Sequence, residues 1–377
     1  PHPSRVIVDE RIWDGTATIT EDTPQPAPPG RGTRLKYSGR VSASESEFDA
    51  SQLEVDEEWQ AASRRPRTRY FEDASRSVIS ENDSPDVPFR FSLNPYRGCL
   101  HGCSYCYARP SHEYLGLSPG LDFETKIFVK KAASELFRKW LCRPRYLPEP
   151  VILSGVTDCY QPIERALRLT RSCLQVAAEA GQPVAIITKN VLVCRDLDLL
   201  APMAEQNEAR VALSITSLEQ SLTRFLEPGT SAPAARLRAV EELSQAGVPV
   251  HVMVAPVIPG LNDSEVPAIL QAAADAGARS ASYIFLRLPW SVKEIFTSWL
   301  KEHRPDQAAK VLSRLAEARD GTLNDTEFGR RMRGTGPMAE QIGSLFRVAA
   351  RRSGIDQSMP PLSTDRFCPP DGQRRLF

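Results

Sequence analysis

Residues 97–107 read RGCLHGCSYCY and carry three cysteines, Cys99, Cys103 and Cys106, in a C-x3-C-x2-C pattern. Thiolates are the soft ligands that select iron–sulfur clusters or zinc. Three thiolates this close in sequence can bind three irons of one cubane if the backbone turns sharply, and Gly98 and Gly102 supply such turns. The pattern therefore predicts a [4Fe–4S] cluster whose fourth iron has no protein ligand and is free to bind a substrate.

Zinc is the alternative metal for this loop. A structural zinc site usually has four ligands, and His101 is a candidate for the fourth. The sequence has no second C-x2-C pair to complete a tetrahedral site, which favours the cluster. The other five cysteines lack the spacing of a disulfide framework; they are Cys142, Cys159, Cys173, Cys194 and Cys368.

The composition is typical of a water-soluble chain with a large core. The chain has 377 residues, of which 41% are hydrophobic, and 47 basic side chains balance 47 acidic ones. No apolar stretch approaches the length needed to span a bilayer, and no signal peptide is recognised. The sequence therefore predicts a cytoplasmic protein without a membrane partner, in a reducing compartment that suits an oxygen-sensitive cluster.

Four regions follow from the distribution of residue types. Residues 1–85 are rich in Pro, Ser, Glu and Arg and are predicted to be disordered or loosely packed. Residues 86–290 are predicted to form the core barrel, 291–354 a helical region, and 355–377 an extended tail.

From residue 89, short apolar runs alternate with amphipathic segments of helical period. The predicted strands are 89–93, 150–153, 183–187, 210–215, 249–254 and 281–286. The predicted helices between them include 132–141, 162–180, 233–246 and 264–276, and Gly181, Gly247 and Gly277 mark helix ends. Six strands with crossover helices predict an α/β fold with a parallel sheet, curved into a partial (β/α)6 barrel of TIM type.

Polar and small residues follow the predicted strands where each one ends. They are Thr157, Asp158, Lys189, Ser214 and Ala255. Singly, each has a structural explanation, such as a helix cap or a solvated loop cation. Because the carboxyl ends of parallel strands meet at one rim, which carries the chemistry in closed barrels, their joint placement predicts a binding site there.

The sequence from about Pro88 to Arg287 resembles the radical S-adenosylmethionine (SAM) superfamily. Within it, the chain is similar to spore photoproduct lyase and, more closely, to uncharacterised bacterial relatives of that lyase. Besides the cysteine motif, the resemblance is carried by residues 187–189 (ITK), 213–215 (LSI), 225–231 (FLEPGTS) and 254–258 (VAPVI).

The resemblance implies a [4Fe–4S] cluster whose open iron binds SAM, and reductive cleavage of SAM to a 5′-deoxyadenosyl radical that abstracts hydrogen from a substrate. It also implies an external one-electron donor such as flavodoxin or ferredoxin. By matching motif positions, Thr157 and Asp158 would contact the methionine end of SAM. Lys189, Ser214 and Ala255 would hold its carboxylate, ribose or adenine.

Tyr105 and Tyr107 match lyase tyrosines that are implicated in SAM contact and hydrogen return, so they are candidate catalytic residues; shielding the cluster from water is the alternative. One position departs from the lyase pattern. The lyase has a hydrogen-donating cysteine three residues before the aspartate that matches Asp158, whereas this chain has Gly155 there. Cys159 is a candidate replacement or an ordinary buried thiol. The departure places repair of the spore DNA lesion in doubt, but not radical generation.

The C-terminal part of the chain is basic. Residues 328–377 contain nine basic and four acidic side chains, a net charge of +5. Such a charge fits a nucleic-acid substrate, and a solvated basic surface explains it equally well. Segment 324–336, with three glycines flanking its arginines, is a candidate substrate-facing loop. A second class of function also stays open, namely a non-catalytic iron–sulfur or zinc module that acts through nucleic-acid or protein contacts.

Overall fold

The computed structural model describes residues 31–33 and 68–371. The strands of these residues fall into two sheets. They are β1 (Arg69–Glu72), β2 (Ile79–Glu81), β3 (Phe91–Leu93), β4 (Tyr96–Arg97), β5 (Lys126–Val129), β6 (Val151–Leu153), β7 (Val184–Thr188), β8 (Ala209–Ser214), β9 (Val250–Val257) and β10 (Ser280–Phe285). The larger sheet has seven strands in the order β10-β9-β8-β7-β6-β3-β2, and the smaller one has the order β1-β5-β4.

The α-helices of the described residues cover the large sheet and continue beyond it. They are α1 (Leu121–Thr125), α2 (Ala133–Leu141), α3 (Glu164–Leu167), α4 (Leu169–Ala180), α5 (Leu197–Glu205), α6 (Gln220–Leu226), α7 (Pro233–Gln245), α8 (Val266–Asp275), α9 (Ser291–His303), α10 (Pro305–Glu317) and α11 (Gly336–Arg352). Short 3-10 helices span Arg109–Leu115, Val191–Asp196 and Asp263–Glu265. Within the described part of the chain, no helix has the length and apolar character that crossing a membrane requires.

Six strands of the large sheet run parallel, with β3 beside β6 and the others following in chain order to β10. The strands are apolar because helices cover one face and the curved sheet encloses the other; all three residues of β6, for example, are buried. Each predicted strand corresponds to one of these six. The predicted α/β class and partial TIM-type barrel are therefore confirmed.

The helix predicted over residues 162–180 is interrupted. Arg168, at φ 54°, adopts a left-handed conformation between α3 and α4. The buried carboxylate of Glu164 accepts the N–H of Thr170 at 3.1 Å, so this side chain caps the second helix. The break is invisible to hydrophobic periodicity because the cap comes from a residue inside the predicted helix.

Two strands lie in the stretch where the sequence predicted little regular structure. β2 pairs antiparallel with β3, and β1 pairs parallel with β5. Strands of three and four residues are too short to show a period-two pattern, which explains the difference. The remainder of the predicted N-terminal extension, residues 1–30 and 34–67, lies outside the described residues.

The segment after α11 crosses the amino ends of the barrel strands. The N–H of Cys368 donates to the carbonyl of Ala180 at 2.8 Å, and the Asn207 side chain donates to the carbonyl of Pro361 at 2.8 Å. Leu362, which lies between Pro361 and Cys368 in this segment, is buried. The segment therefore covers the end of the barrel opposite the strand ends at which the sequence predicts the site.

Candidate active site

The cysteine loop, residues 98–107, follows β4 at the carboxyl ends of the barrel strands. Gly98 and Gly102 have φ of 77° and 64°, a left-handed conformation that glycine adopts without steric cost. The N–H of Cys106 donates to the carbonyl of Cys103 at 3.2 Å, which closes a tight turn. Cys99 is 6% exposed and Cys103 7% exposed. The glycine turns predicted from the sequence are present.

The three thiols lie within electrostatic reach of one another. Burial and the neighbouring Cys99 raise the pKa of Cys103 well above its ordinary value and that of Cys106 to about 11. A bound metal reverses this effect because it stabilises the thiolate, so the donor set fits the soft metal of a cluster. No three His, Cys, Asp or Glu side chains of the described residues surround a point suited to a single ion. In a cubane, each thiolate binds a different iron.

The FLEPGTS segment, residues 225–231, is packed against the cysteine loop. The N–H of Gly229 donates to the carbonyl of His101 at 2.9 Å, and the N–H of Ser104 donates to that of Leu226 at 3.0 Å. A Cβ added at Gly229 would lie 2.1 Å from the carbonyl oxygen of Leu100. Only glycine allows this close approach of the two backbones, so the segment fixes the shape of the loop.

Arg109 supports the cysteine loop from the protein interior. Its fully buried guanidinium donates to the carbonyls of Gly102 at 3.2 Å and Cys103 at 2.9 Å. It also forms an ion pair with Glu124 at 2.5 Å. Buried charges need such full pairing, and this one holds the backbone between two of the cysteines in place.

Asp158 joins the cysteine loop to two strand ends. It follows β6, accepts from the Thr188 hydroxyl and the Lys189 N–H at 2.8 Å each, and contacts His101 Nδ1 at 3.3 Å. Burial opposes its ionisation, but the charge and hydrogen bond of His101 and the Lys189 N–H lower the pKa of Asp158. In turn, Asp158 raises the pKa of His101 to about 10 against the effect of burial. The Asp158 carboxylate therefore acts as a structural junction at the rim.

A second buried network surrounds Glu227, which is 1% exposed. Its carboxylate accepts hydrogen bonds from Tyr105, Arg236 and, at 3.0 Å, Thr216, and it lies 3.5 Å from Lys189 Nζ. Burial opposes ionisation of Glu227, but the charges of Arg236 and Lys189 lower its pKa to about 2. Glu227 thus fixes one predicted catalytic tyrosine and one predicted SAM-binding lysine.

Lys189 is held across the ends of three strands. Its Nζ donates to the Ala255 carbonyl at 3.0 Å and to Thr216 Oγ1 at 3.2 Å, and it lies 5.7 Å from the centre of the Tyr105 ring. Arg236 donates to the carbonyl of Ser214 at 2.9 Å. The structure therefore brings Tyr105, Lys189, Ser214 and Ala255 together beside the cysteine loop.

The other predicted site residues, Thr157, Tyr107 and Cys159, differ in their burial and in their hydrogen-bond partners. Thr157 is buried, and its hydroxyl donates to the Tyr96 carbonyl at 2.8 Å. Tyr107 is 54% exposed and donates to the Gly155 carbonyl at 2.9 Å, so it lies at the mouth of the site. Cys159 is fully buried, and burial raises the pKa of its thiol well above the ordinary value. The thiol of Cys159 is thus not presented at the solvent-facing mouth where Tyr107 lies.

Sequence reasoning did not identify Glu227, Arg236 or the Arg109–Glu124 pair as parts of the site. Glu227 belongs to the FLEPGTS segment, so the signal was an acidic residue inside a motif already singled out. The other three are ordinary charged residues in amphipathic stretches. Only tertiary structure shows that each is completely buried.

Residues 93–273 match the family model of the Radical SAM superfamily. The uncharacterized protein Rv2578c of Mycobacterium tuberculosis is 40% identical over 226 residues, which are 59% of this chain and 66% of the relative. The uncharacterized protein MJ0683 of Methanocaldococcus jannaschii is 28% identical over 176 residues, 47% of this chain and 63% of the relative. The chain therefore spans slightly less than two thirds of each relative's length.

Among solved structures, the fold resembles that of spore photoproduct lyase. The lyase complexed with dinucleoside spore photoproduct has a TM-score of 0.53 and 19% identity, over 75% of this chain and 79% of the lyase. A lyase variant with bound AdoMet and the same dinucleoside has a TM-score of 0.50 and 19% identity, over 72% of this chain and 76% of the lyase. At this identity the likeness shows a common fold. The family match confirms the resemblance to this superfamily, and the fold is like that of the lyase.

Proposed function

We propose that this chain is a radical SAM enzyme that binds a [4Fe–4S] cluster through Cys99, Cys103 and Cys106. The observation that carries the proposal is that the buried Cys99 and Cys103 and the half-buried Cys106 share one loop at the carboxyl ends of parallel strands, where their thiols act electrostatically on one another. A cluster of this kind supplies, together with bound SAM and one external electron, a 5′-deoxyadenosyl radical for hydrogen abstraction. The superfamily match supports both cofactors.

The residues of this chain bind and orient the cofactors. Lys189 and Ser214 line the proposed SAM site next to the loop, and the carbonyl of Ala255 orients the Lys189 ammonium. Thr157 and Asp158 already have protein partners for their side-chain oxygens, so we propose that they shape the methionine end of the site through the backbone. Tyr105, fixed by Glu227, forms the side of the cysteine loop that faces Lys189.

A nucleic acid is the substrate class that we propose on sequence grounds. The lyase with the related fold is complexed with a dinucleoside, which supports this choice. The basic C-terminal region contributes less free charge than its composition indicates, because Arg330 pairs with Asp320 and Arg331 pairs with Asp86. Arg333 is exposed and available for phosphate contact. A one-electron donor such as flavodoxin or ferredoxin is the proposed partner.

The test is anaerobic reconstitution with iron and sulfide, followed by reduction in the presence of SAM. The wild-type chain should hold about four irons and form 5′-deoxyadenosine. The Cys103→Ala variant should lose the cluster and this product. Cys194→Ala is the matched control, because Cys194 is half-buried on a 3-10 helix outside the loop.

Each outcome of this experiment separates the proposed classes. A single zinc per chain, or 5′-deoxyadenosine that persists in Cys103→Ala, would contradict the enzyme and favour the non-catalytic module. The substrate class is measured in the same reaction. Oligonucleotides, and not peptides of equal charge, should accelerate the formation of 5′-deoxyadenosine.

A further inference from the structure

Arg287 lies at the rim of the barrel with an incomplete set of hydrogen bonds. It stands two residues after Phe285, the last residue of β10. Its Nε is buried and has no hydrogen-bond partner. Its Nη1 reaches the thioether of Met332 at 3.7 Å, and a thioether is a weak acceptor. An arginine presents five donors, so most of the capacity of this side chain is unused.

No carboxylate of the described residues is within ion-pair distance of Arg287. Asp86 acts on it electrostatically, but both carboxylate oxygens of Asp86 are bound by Arg331, at 2.6 and 2.5 Å. Burial and the like charge of Arg331 lower the pKa of Arg287. The positive charge of Arg287 is therefore left without the partner that a partly buried cation normally has.

A third arginine adds to the positive potential beneath this rim. Arg319 is 1% exposed and donates to the Leu286 carbonyl at 2.5 Å, while its Nε and Nη1 have no partner. Burial and, to a smaller extent, the charge of Arg287 lower the pKa of Arg319 to about 10, although Asp325 acts in the opposite direction. The guanidinium groups of Arg287, Arg319 and Arg331 thus lie close together, and of the three only Arg331 has a carboxylate of the described residues within ion-pair distance.

The cluster faces the mouth of the candidate active site. Arg287 acts electrostatically on Tyr107, which follows the last cysteine of the loop and is 54% exposed. Arg331 lies 4.5 Å from the ring centre of Phe328, which is 52% exposed. Segment 324–336 is bound to the end of β10 by the N–H of Phe285, which donates to the Met332 carbonyl at 2.9 Å. Arg287 therefore lies between the cysteine loop and this segment.

We propose that Arg287 binds an oxyanion of the substrate, a phosphate or a carboxylate, at the mouth of the barrel. A guanidinium binds either group through two parallel hydrogen bonds, and the free Nε is one of the two donors that such a contact uses. A half-buried charge without a partner lowers the stability of the fold. Such a charge is typical of a position that serves binding rather than stability. The assignment to the substrate rests on the proposed function, whereas anion binding itself does not.

The experiment measures thermal unfolding of the full-length chain, before and after cluster reconstitution, with inorganic phosphate, with acetate, and with sodium chloride at equal ionic strength. Phosphate or acetate should raise the melting temperature of the wild type above the chloride value. The Arg287→Gln variant should melt higher than the wild type without these anions and should lose at least about 90% of the anion-dependent shift. Arg352→Gln, an exposed arginine on α11, is the matched control and should keep the shift.

The comparison of phosphate with acetate identifies the class of anion that binds. A larger shift with phosphate than with acetate assigns a phosphoryl group, and the reverse assigns a carboxylate. An anion-dependent shift that survives in Arg287→Gln, or an Arg287→Gln chain that melts lower than the wild type, would overturn the site. If that variant does not fold, Arg287→Lys replaces it, and unchanged affinity there would overturn the two-bond contact.

SAM provides the last arm. If SAM abolishes phosphate binding to the reconstituted chain, the cluster of arginines serves the SAM carboxylate and the substrate assignment is wrong. Binding of both ligands at once supports a separate substrate subsite. Because none of these measurements requires SAM cleavage, a failure of the anion site is distinguishable from a failure of the proposed enzyme activity.

Discussion

Glu227 shows how one side chain connects the motifs of this site. It binds Arg236, which reaches β8, and it contacts Lys189, which follows β7. It also accepts the hydroxyl of Tyr105 in the cysteine loop. Breaking a buried ion pair leaves the remaining partner charged and unsolvated, so the cost of losing this carboxylate exceeds the loss of its hydrogen bonds.

Replacing Glu227 by Gln should lower the free energy of unfolding by about 3–5 kcal/mol, because Arg236 and Lys189 lose their counter-charge. Urea unfolding at neutral pH measures the change. The control Glu241→Gln, on the exposed face of α7, should stay within about 0.5 kcal/mol of the wild type. Equal stabilities of the two variants would contradict the network.

The sequence was sufficient to predict where the cysteines and most strand-end residues lie in the fold, because each follows a short apolar run or belongs to a fixed spacing. It was not sufficient for Glu227 or Arg109, whose roles depend on burial by segments far away in the chain. Thr157 and Asp158 were predicted to contact SAM. Their side chains are bound to Tyr96 and His101, and this use is apparent only in three dimensions.

At the scale of elements, the pair β9–β10 contains a buried titratable side chain. His251 on β9 contacts the hydroxyls of Ser280 and Ser282 on β10 at 2.7 Å each. Burial and the charge of Arg210 lower the pKa of His251 from 6.5 to about 4. The two strands are therefore joined by a neutral imidazole between two hydroxyls.

The stability of this strand pair should depend on pH. Since the folded-state pKa of His251 lies below the ordinary value of 6.5, the neutral form is favoured in the fold. Its contribution is complete above pH 6.5 and is lost as the pH falls toward 4, by up to about 1.4 kcal/mol per pH unit. His112, whose pKa burial also lowers to about 4, adds the same dependence.

The measurement is the free energy of unfolding between pH 7.5 and 4.5 for the wild type and His251→Gln. The variant should show a shallower decline than the wild type over this range. Parallel curves would mean that His251 does not titrate differently in the folded and unfolded chains.

The sequence predicted the strands and helices that have a continuous apolar or periodic pattern. It did not predict those that depend on a single side-chain contact or on a partner far away in the chain. The runs that became β7, β8 and β9 are apolar and bounded by turn residues, so their pattern predicted them. The division of the helix at Arg168 depends on the Glu164 side chain, and β1 and β2 depend on partners elsewhere in the chain. These features carry no local signal.

At the scale of the whole molecule, the barrel has different coverings at its two ends. The C-terminal segment crosses the amino ends, where Leu362 packs against Ile152 and Ala185 on the concave side of the sheet. The cysteine loop and the arginine cluster occupy the carboxyl ends. One end is therefore closed by apolar contacts, and the other presents polar groups to a ligand.

Replacing Leu362 by Ala should lower the free energy of unfolding by about 2–3 kcal/mol, since the truncation leaves a cavity next to β6 and β7. The control Leu147→Ala removes a side chain that is 76% exposed and should have little effect. Denaturant unfolding compares the two. A loss in Leu362→Ala no larger than that in the control would show that the segment does not close the barrel.

The tight approach of Gly229 to Leu100 has a consequence for how the chain responds to air. This contact between two backbone segments sets the curvature of the cysteine loop. The loop therefore has the same conformation with or without a bound cofactor. If the proposed cluster is lost to oxidation, we expect the loop to keep its conformation, so that the same chain can bind iron and sulfide again.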